Sequence, residues 1–128
     1  MGLVSDGQVH SSQEHLYALL RLAKQHGLER VFIHCFLDGR DTPPSSAAHY
    51  IATLQMKIQE IGCGQIASII GRYYAMDRDK HWERTERAYD LLVKGKGERV
   101  TDPVAAIRQF YDRGITDEFI EPCDRCWS

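Results

Sequence analysis

Three short apolar runs, each followed by a glycine-containing polar loop and then by a stretch of helical periodicity, constrain this chain more than any other feature. Strands that alternate with helices imply a parallel sheet with crossover helices, because a parallel pair cannot be closed by a tight hairpin. The first run is Gly2 to Ser5. Its helix is introduced by Ser11-Ser12-Gln13-Glu14, the spacing of a capping box, and shows Leu16, Leu19, Leu20 and Ala23 at helical period before Gly27. The second run, Val31 to Leu37, is unbroken, as expected of a strand buried on both faces. After Pro43-Pro44, helical period returns at Ala47, Ile51, Leu54, Ile58 and Ile61, with Gly62 as the stop.

The third run is Ile66 to Ile70. Its helix is expected to open at about Asp77, to carry Trp82, Thr85, Tyr89 and Leu92 on one face, and to end near Gly95. Asp102-Pro103 starts a further helix, with a capping side chain followed by proline at the position where its missing amide costs least. That helix shows Ile107, Phe110 and Tyr111 and stops at Gly114. Thr116 to Ile120 is a candidate further strand. The expected fold is therefore α/β, a parallel β-α-β three-layer sandwich that is incomplete. Three or four strands make a thin sheet, and the first begins at residue 2, so the chain is expected to be cut at both ends. Residues 123–128 match no element and form a tail of unclear structure.

Composition narrows the function classes. A chain of 128 residues has room for one domain. A net charge of −2 gives no basic footprint for nucleic acid. No apolar run approaches the roughly 20 residues of a membrane span, and the N-terminus lacks the pattern of a secretory signal. Neither nucleic acid nor membrane is an expected partner. The cysteines, Cys35, Cys63, Cys123 and Cys126, include one C-x-x-C without a second pair or a thioredoxin context, and read as incidental. The lack of a disulfide framework fits a reducing compartment, and a cytoplasmic location is expected. No His-x-x-x-His pair, P-loop, G-x-G-x-x-G or G-x-S-x-G occurs, so no metal site, nucleotide loop or hydrolase elbow is expected in this chain.

In open α/β sheets, ligands bind beyond the carboxyl ends of the strands. Here the three loops in that position are Ser5 to His10, Asp38 to Pro44 and Gly71 to Asp79. They bring His10, Arg40, Arg72 and Arg78, with Asp6, Asp38, Asp41 and Asp77, to one edge. Guanidinium groups from separate loops suit an anion with more than one phosphate or carboxylate group. An aspartate beside an arginine, as in Arg40-Asp41, stays ionised and can orient a hydroxyl or accept its proton. Asp38 is expected to brace its own loop through an Asx-type turn. The chemistry implied is recognition of a small phosphorylated acid bearing a hydroxyl.

These loops, with Trp82-Glu83-Arg84, Ala88-Tyr89-Asp90 and Thr116 to Pro122, closely resemble the cofactor-independent (2,3-bisphosphoglycerate-independent) phosphoglycerate mutases over residues 2–122. The resemblance implies a glycolytic enzyme that interconverts 3-phosphoglycerate and 2-phosphoglycerate. It also implies two domains: a metal-binding phosphatase-like domain with two manganese ions and a serine nucleophile, and a phosphotransferase domain that holds substrate. Residues 1–122 look like part of the second. By position, His10, Arg40, Asp41, Arg72 and Arg78 match the family's substrate-contacting residues, with Asp41 also catalytic, beside the hydroxyl that takes or gives up the phosphoryl group. No metal ligand or cofactor falls in this chain, and a further arginine pair and a lysine of the family's site would lie beyond residue 128. The chain alone is therefore expected to supply part of the cradle without turnover. The alternative is a stand-alone phosphoacid-binding or partner-binding module without catalysis. Two positions depart from the family pattern: Gln8 replaces its second glycine and Ser12 its second histidine.

Overall fold

A computed structural model describes residues 1–125. Five strands form one sheet: β1 (Gly2–Leu3), β2 (Phe32–Leu37), β3 (Gln65–Gly71), β4 (Glu98–Val100) and β5 (Cys123–Arg125), in the order β1-β2-β3-β5-β4. β1, β2 and β3 are parallel, as the alternating pattern implies. β5 lies between β3 and β4, antiparallel to the first and parallel to the second. So the first three residues of the expected tail are a strand, and Thr116 to Ile120 is not one: Asp117–Phe119 is a turn of 3-10 helix. Cys126, the second cysteine of the C-x-x-C, lies outside the described residues. Burial pushes the Cys35 and Cys123 thiols up to about 12, so neither is poised as a nucleophile.

Three long helices cover one face of the sheet: α1 (Gln13–Gln25), α2 (Ala47–Ile61) and α5, residues Pro103–Asp112 and last of the helices in chain order. Tyr17 and Leu20 of α1, Ile51 and Leu54 of α2, and Ile107 and Phe110 of α5 pack there against Ile33, Cys35 and Leu37 of β2 and Ile66 and Ile69 of β3. The short α3 (Arg72–Ala75) and α4 (Trp82–Lys94) cover part of the opposite face through Ala88 and Leu91, which meet Ile70, Phe36 and Tyr74. The second layer is thinner, and β2 alternates between buried and half-exposed residues where burial on both faces was expected. A bulge in β3 opposite Ile33 and His34 puts His34 against Ser68, with Nδ1 2.8 Å from the hydroxyl oxygen.

Two local expectations fail for identifiable reasons. The capping box does not form, because the Ser11 hydroxyl donates to the Leu3 carbonyl at 2.7 Å and so ties the first loop to β1. The face of α4 bearing Trp82 and Tyr89 points outward, with Trp82 70% exposed. Residues 82, 89 and 93 lie on one line of the helix, opposite Ala88 and Leu91. This helix is apolar on two sides, and sequence period alone picks the side with the larger residues.

α2 is held from far along the chain. Asp117, fully buried, accepts the N–H groups of Ser46 and Ala47 at 2.9 Å each and the Tyr111 hydroxyl. It thus serves as the N-terminal cap that α2 lacks locally, since Ser46 itself makes no side-chain cap. Asp102, by contrast, caps its own helix by accepting from Val104 and Ala105 in an exposed position. Asp117→Ala should therefore cost about 3 kcal/mol, because it orphans buried donors, against about 1 kcal/mol for Asp102→Ala. Urea unfolding midpoints of the two variants check that order.

Candidate active-site cleft at the strand ends

The carboxyl ends of β1, β2 and β3 release their chains into three loops that converge on one cleft. Asp38, directly after β2 and 3% exposed, ties them together. Its Oδ2 accepts the Ser5 hydroxyl of the first loop at 3.0 Å. Oδ1 accepts the N–H groups of Arg40 and Asp41 in its own loop, at 3.2 and 3.0 Å. The same oxygen receives Arg72 Nη1 of the third loop at 2.8 Å. The Asx-type brace read from the sequence is present and is extended to both neighbouring loops. Burial alone would raise the Asp38 carboxyl, but the N–H of Asp41, the Arg72 guanidinium, the N–H of Arg40 and the Ser5 hydroxyl outweigh it and hold it below its ordinary value.

Arg72 Nη1 also bonds Asp41 Oδ2 at 2.8 Å, so one guanidinium nitrogen bridges two carboxylates and Arg72 is only 12% exposed. Burial opposes its charge, the two aspartates more than offset that, and its pKa is raised. His10 Nε2 lies 3.9 Å from the same Asp41 oxygen. Arg40 is 63% exposed and 3.7 Å from Glu118. Arg78 is exposed and makes no ion pair among the described residues.

All five residues singled out from the sequence, His10, Arg40, Asp41, Arg72 and Arg78, line one cleft of about 470 Å³. Arg84 and Glu118 line it too and were missed. Arg84 reaches back from α4 to Asp77 at 3.4 Å and stacks on the Tyr73 ring at 3.8 Å. The signal for both was in hand, since Trp82-Glu83-Arg84 and Thr116 to Pro122 belong to the recognised motifs, but neither segment is a strand-to-helix loop. Asp77 accepts the N–H of His81 at 2.8 Å, which fixes the turn into α4 five residues later than expected.

The first loop carries its own constraint. Gln8 has φ of +62°, in the left-handed region that glycine enters freely. A residue with a side chain pays about 1 kcal/mol to hold that conformation, and the loop presents His10 to the cleft. Among the described residues one group has metal-ligand spacing, Asp77, Asp79 and His81, whose donor atoms lie within 4.8 Å of one another. Its Asp77 carboxylate already holds His81 and Arg84. Three donors with one committed to internal bonds do not make a two-manganese centre.

An open α/β sheet with an arginine-rich polar cleft over its parallel strand ends is the class of protein the fold and site define. The model of the N-terminal region of 2,3-bisphosphoglycerate-independent phosphoglycerate mutases matches residues 1–125. The chain belongs to that family. It is 62% identical over 122 residues to the mutase of Moorella thermoacetica and 56% identical over 122 residues to that of Syntrophotalea carbinolica, covering 95% of this chain in each case. A Leishmania mexicana phosphoglycerate mutase crystallised at low cobalt concentration superposes with a TM-score of 0.93 at 32% identity, over 99% of this chain and 25% of that one. The chain spans about a quarter of the length of the curated relatives it matches, 24% for both bacterial enzymes. No helix among the described residues is long and apolar enough to cross a membrane.

Asp38→Asn should destabilise the chain by about 3 kcal/mol at pH 7, because it strips a buried partner from Arg72. A depressed folded pKa gives stability that is present above the unfolded value and is lost as pH falls through the folded one. The gap between wild type and variant should therefore narrow as pH is lowered below the ordinary aspartate range. Unfolding midpoints from pH 7 to pH 2 measure it.

Proposed function

We propose that this chain forms part of the substrate cradle of a phosphoglycerate mutase and holds 3-phosphoglycerate or 2-phosphoglycerate over the strand ends. One observation carries the reading: three arginines and a histidine from three loops face one cleft in which Arg40 and Arg78 remain open to solvent. In this reading Arg40, Arg78 and His10 grip the phosphate and carboxylate oxygens of the substrate through charge-assisted hydrogen bonds. Arg72, bound to two aspartates, fixes Asp41.

Asp41 is the catalytic residue of the proposal. Its Oδ2 is held by Arg72 at 2.8 Å, which fixes the carboxylate in the cleft, facing the substrate hydroxyl in this reading. It accepts the hydroxyl proton when that oxygen takes up a phosphoryl group, and returns it when the group leaves. The serine nucleophile and the two manganese ions implied by the family resemblance belong to a second, phosphatase-like domain, with which the cradle would assemble. A glycolytic role carries a cytoplasmic location with it. On this account the chain alone binds and does not turn over.

Calorimetric titration of 3-phosphoglycerate into the chain tests the reading. Binding should be weak, should fall with added salt, and should weaken roughly tenfold in Arg40→Ala, the loss of one charge-assisted contact. No heat, or heat unchanged by Arg40→Ala, contradicts it. In the intact enzyme Asp41→Asn should lower turnover far more than it weakens binding, and unchanged turnover would remove Asp41 from its role.

A further inference from the structure

The cleft contains as many carboxylates as arginines. Arg40, Arg72, Arg78 and Arg84 line it with Asp41, Asp77, Asp79 and Glu118. Three of the four arginines are paired with carboxylates of the chain itself, but not equally. Arg72 makes two bonds of 2.8 Å and is nearly buried. Arg84 is clamped between Asp77 and the Tyr73 ring. Arg40 faces solvent, and its contact is the 3.7 Å approach to Glu118. A long ion pair to a solvent-exposed arginine is weak, whereas a phosphate met by both arms of a guanidinium is held strongly.

Glu118 is where it is by construction. The backbone of its 3-10 turn rests directly on Gly71: a Cβ there would overlap the Glu118 carbonyl oxygen and lie 2.6 Å from the carbonyl carbon. On its other side a Cβ at Gly39 would come within 3.0 Å of the Glu118 nitrogen. Gly71 N–H donates to Ile120 at 2.8 Å, and Asp117 N–H to Pro44 at 2.9 Å, so the turn is bonded to the second and third loops. Asp117 points inward to cap α2. The next side chain, a third of a turn round the 3-10 helix, lines the cleft and is 19% exposed there.

We propose that Glu118 is a placeholder carboxylate: it holds Arg40 while the cleft is empty and is exchanged for an anionic oxygen of the ligand, so that it sets the charge a ligand must bring to Arg40. This rests on the reading of the cleft as an anion cradle. The exchange is a swap of ion-pair partners with no bond made or broken. A dianionic phosphate displaces the carboxylate, and a neutral or singly charged group does not. Glu118 is in this sense a specificity-determining residue contributed by a fourth segment.

The test is the rate at which phenylglyoxal modifies Arg40, followed by peptide mass spectrometry, in wild type, Glu118→Gln and Glu118→Ala, with inorganic phosphate as protectant and 3-phosphoglycerate as a second one. Both variants should raise the Arg40 rate severalfold. Arg72 should stay slow throughout, which also reports that the cleft is folded. Half-protection of Arg40 should need severalfold less phosphate in the variants than in wild type. An unchanged Arg40 rate, or a half-protection concentration that is equal or higher in the variants, overturns the proposal while leaving the cradle intact. If neither anion protects any cleft arginine in wild type, the cradle reading falls first and the exchange with it.

Discussion

The structure of the cleft depends on one buried carboxylate. Asp38 directly follows β2 and receives donors from all three loops that leave the parallel strands. A carboxylate at 3% exposure is tolerable only when nearly all of its oxygen lone pairs are used. That requirement ties Ser5, the 38–41 turn and Arg72 into a single geometry. Because Arg72 in turn holds Asp41, the position of the proposed proton acceptor follows from the same atom set. Two carboxylates sharing one guanidinium nitrogen would repel each other without it, so the arrangement stands or falls as a unit.

A second consequence is electrical. Arginines crowded into a 470 Å³ cleft would repel one another and splay the loops, and the internal carboxylates bring the cleft near neutrality. The arginines differ in how firmly they are held. Arg72 is held by two carboxylates at 2.8 Å. Arg40 and Arg78 are the groups with hydrogen-bonding capacity to offer. The chain spans about a quarter of the length of the curated relatives it matches.

Much of this was legible from residue patterns. Helices α2 and α5 carry their core residues at uninterrupted helical period, and the glycines that end them are where the pattern puts them. The loops were legible because an open sheet has one place for a ligand and these segments occupy it. What escaped did so for physical reasons. β4 and β5 are three residues each and contain Glu98, Arg99, Asp124 and Arg125, so no apolar run marks them. α4 is apolar on opposite sides, and the larger Trp82 and Tyr89 drew the reading away from Ala88 and Leu91. Asp117 and Glu118 act across 71 and 78 residues of chain, on Ser46 and Arg40, and no local rule reaches that far. The strained Gln8 conformation has no signal in the residue itself, and only the family pattern, with glycine at that position, points to it.

The central claim is that the strand-end cleft, and no other cation cluster on the surface, is where a phosphoglycerate binds. The sharpest alternative is the group around Lys94, Lys96 and Arg99 at the far edge of the sheet, whose charges pair with Asp90 and Asp124. Amide chemical-shift mapping of the isotope-labelled chain with 3-phosphoglycerate separates the two. The account predicts saturable shifts concentrated in residues 6–12, 38–42, 71–79 and 117–119. Shifts centred on residues 94–99, or spread evenly over all surface cations, would contradict it.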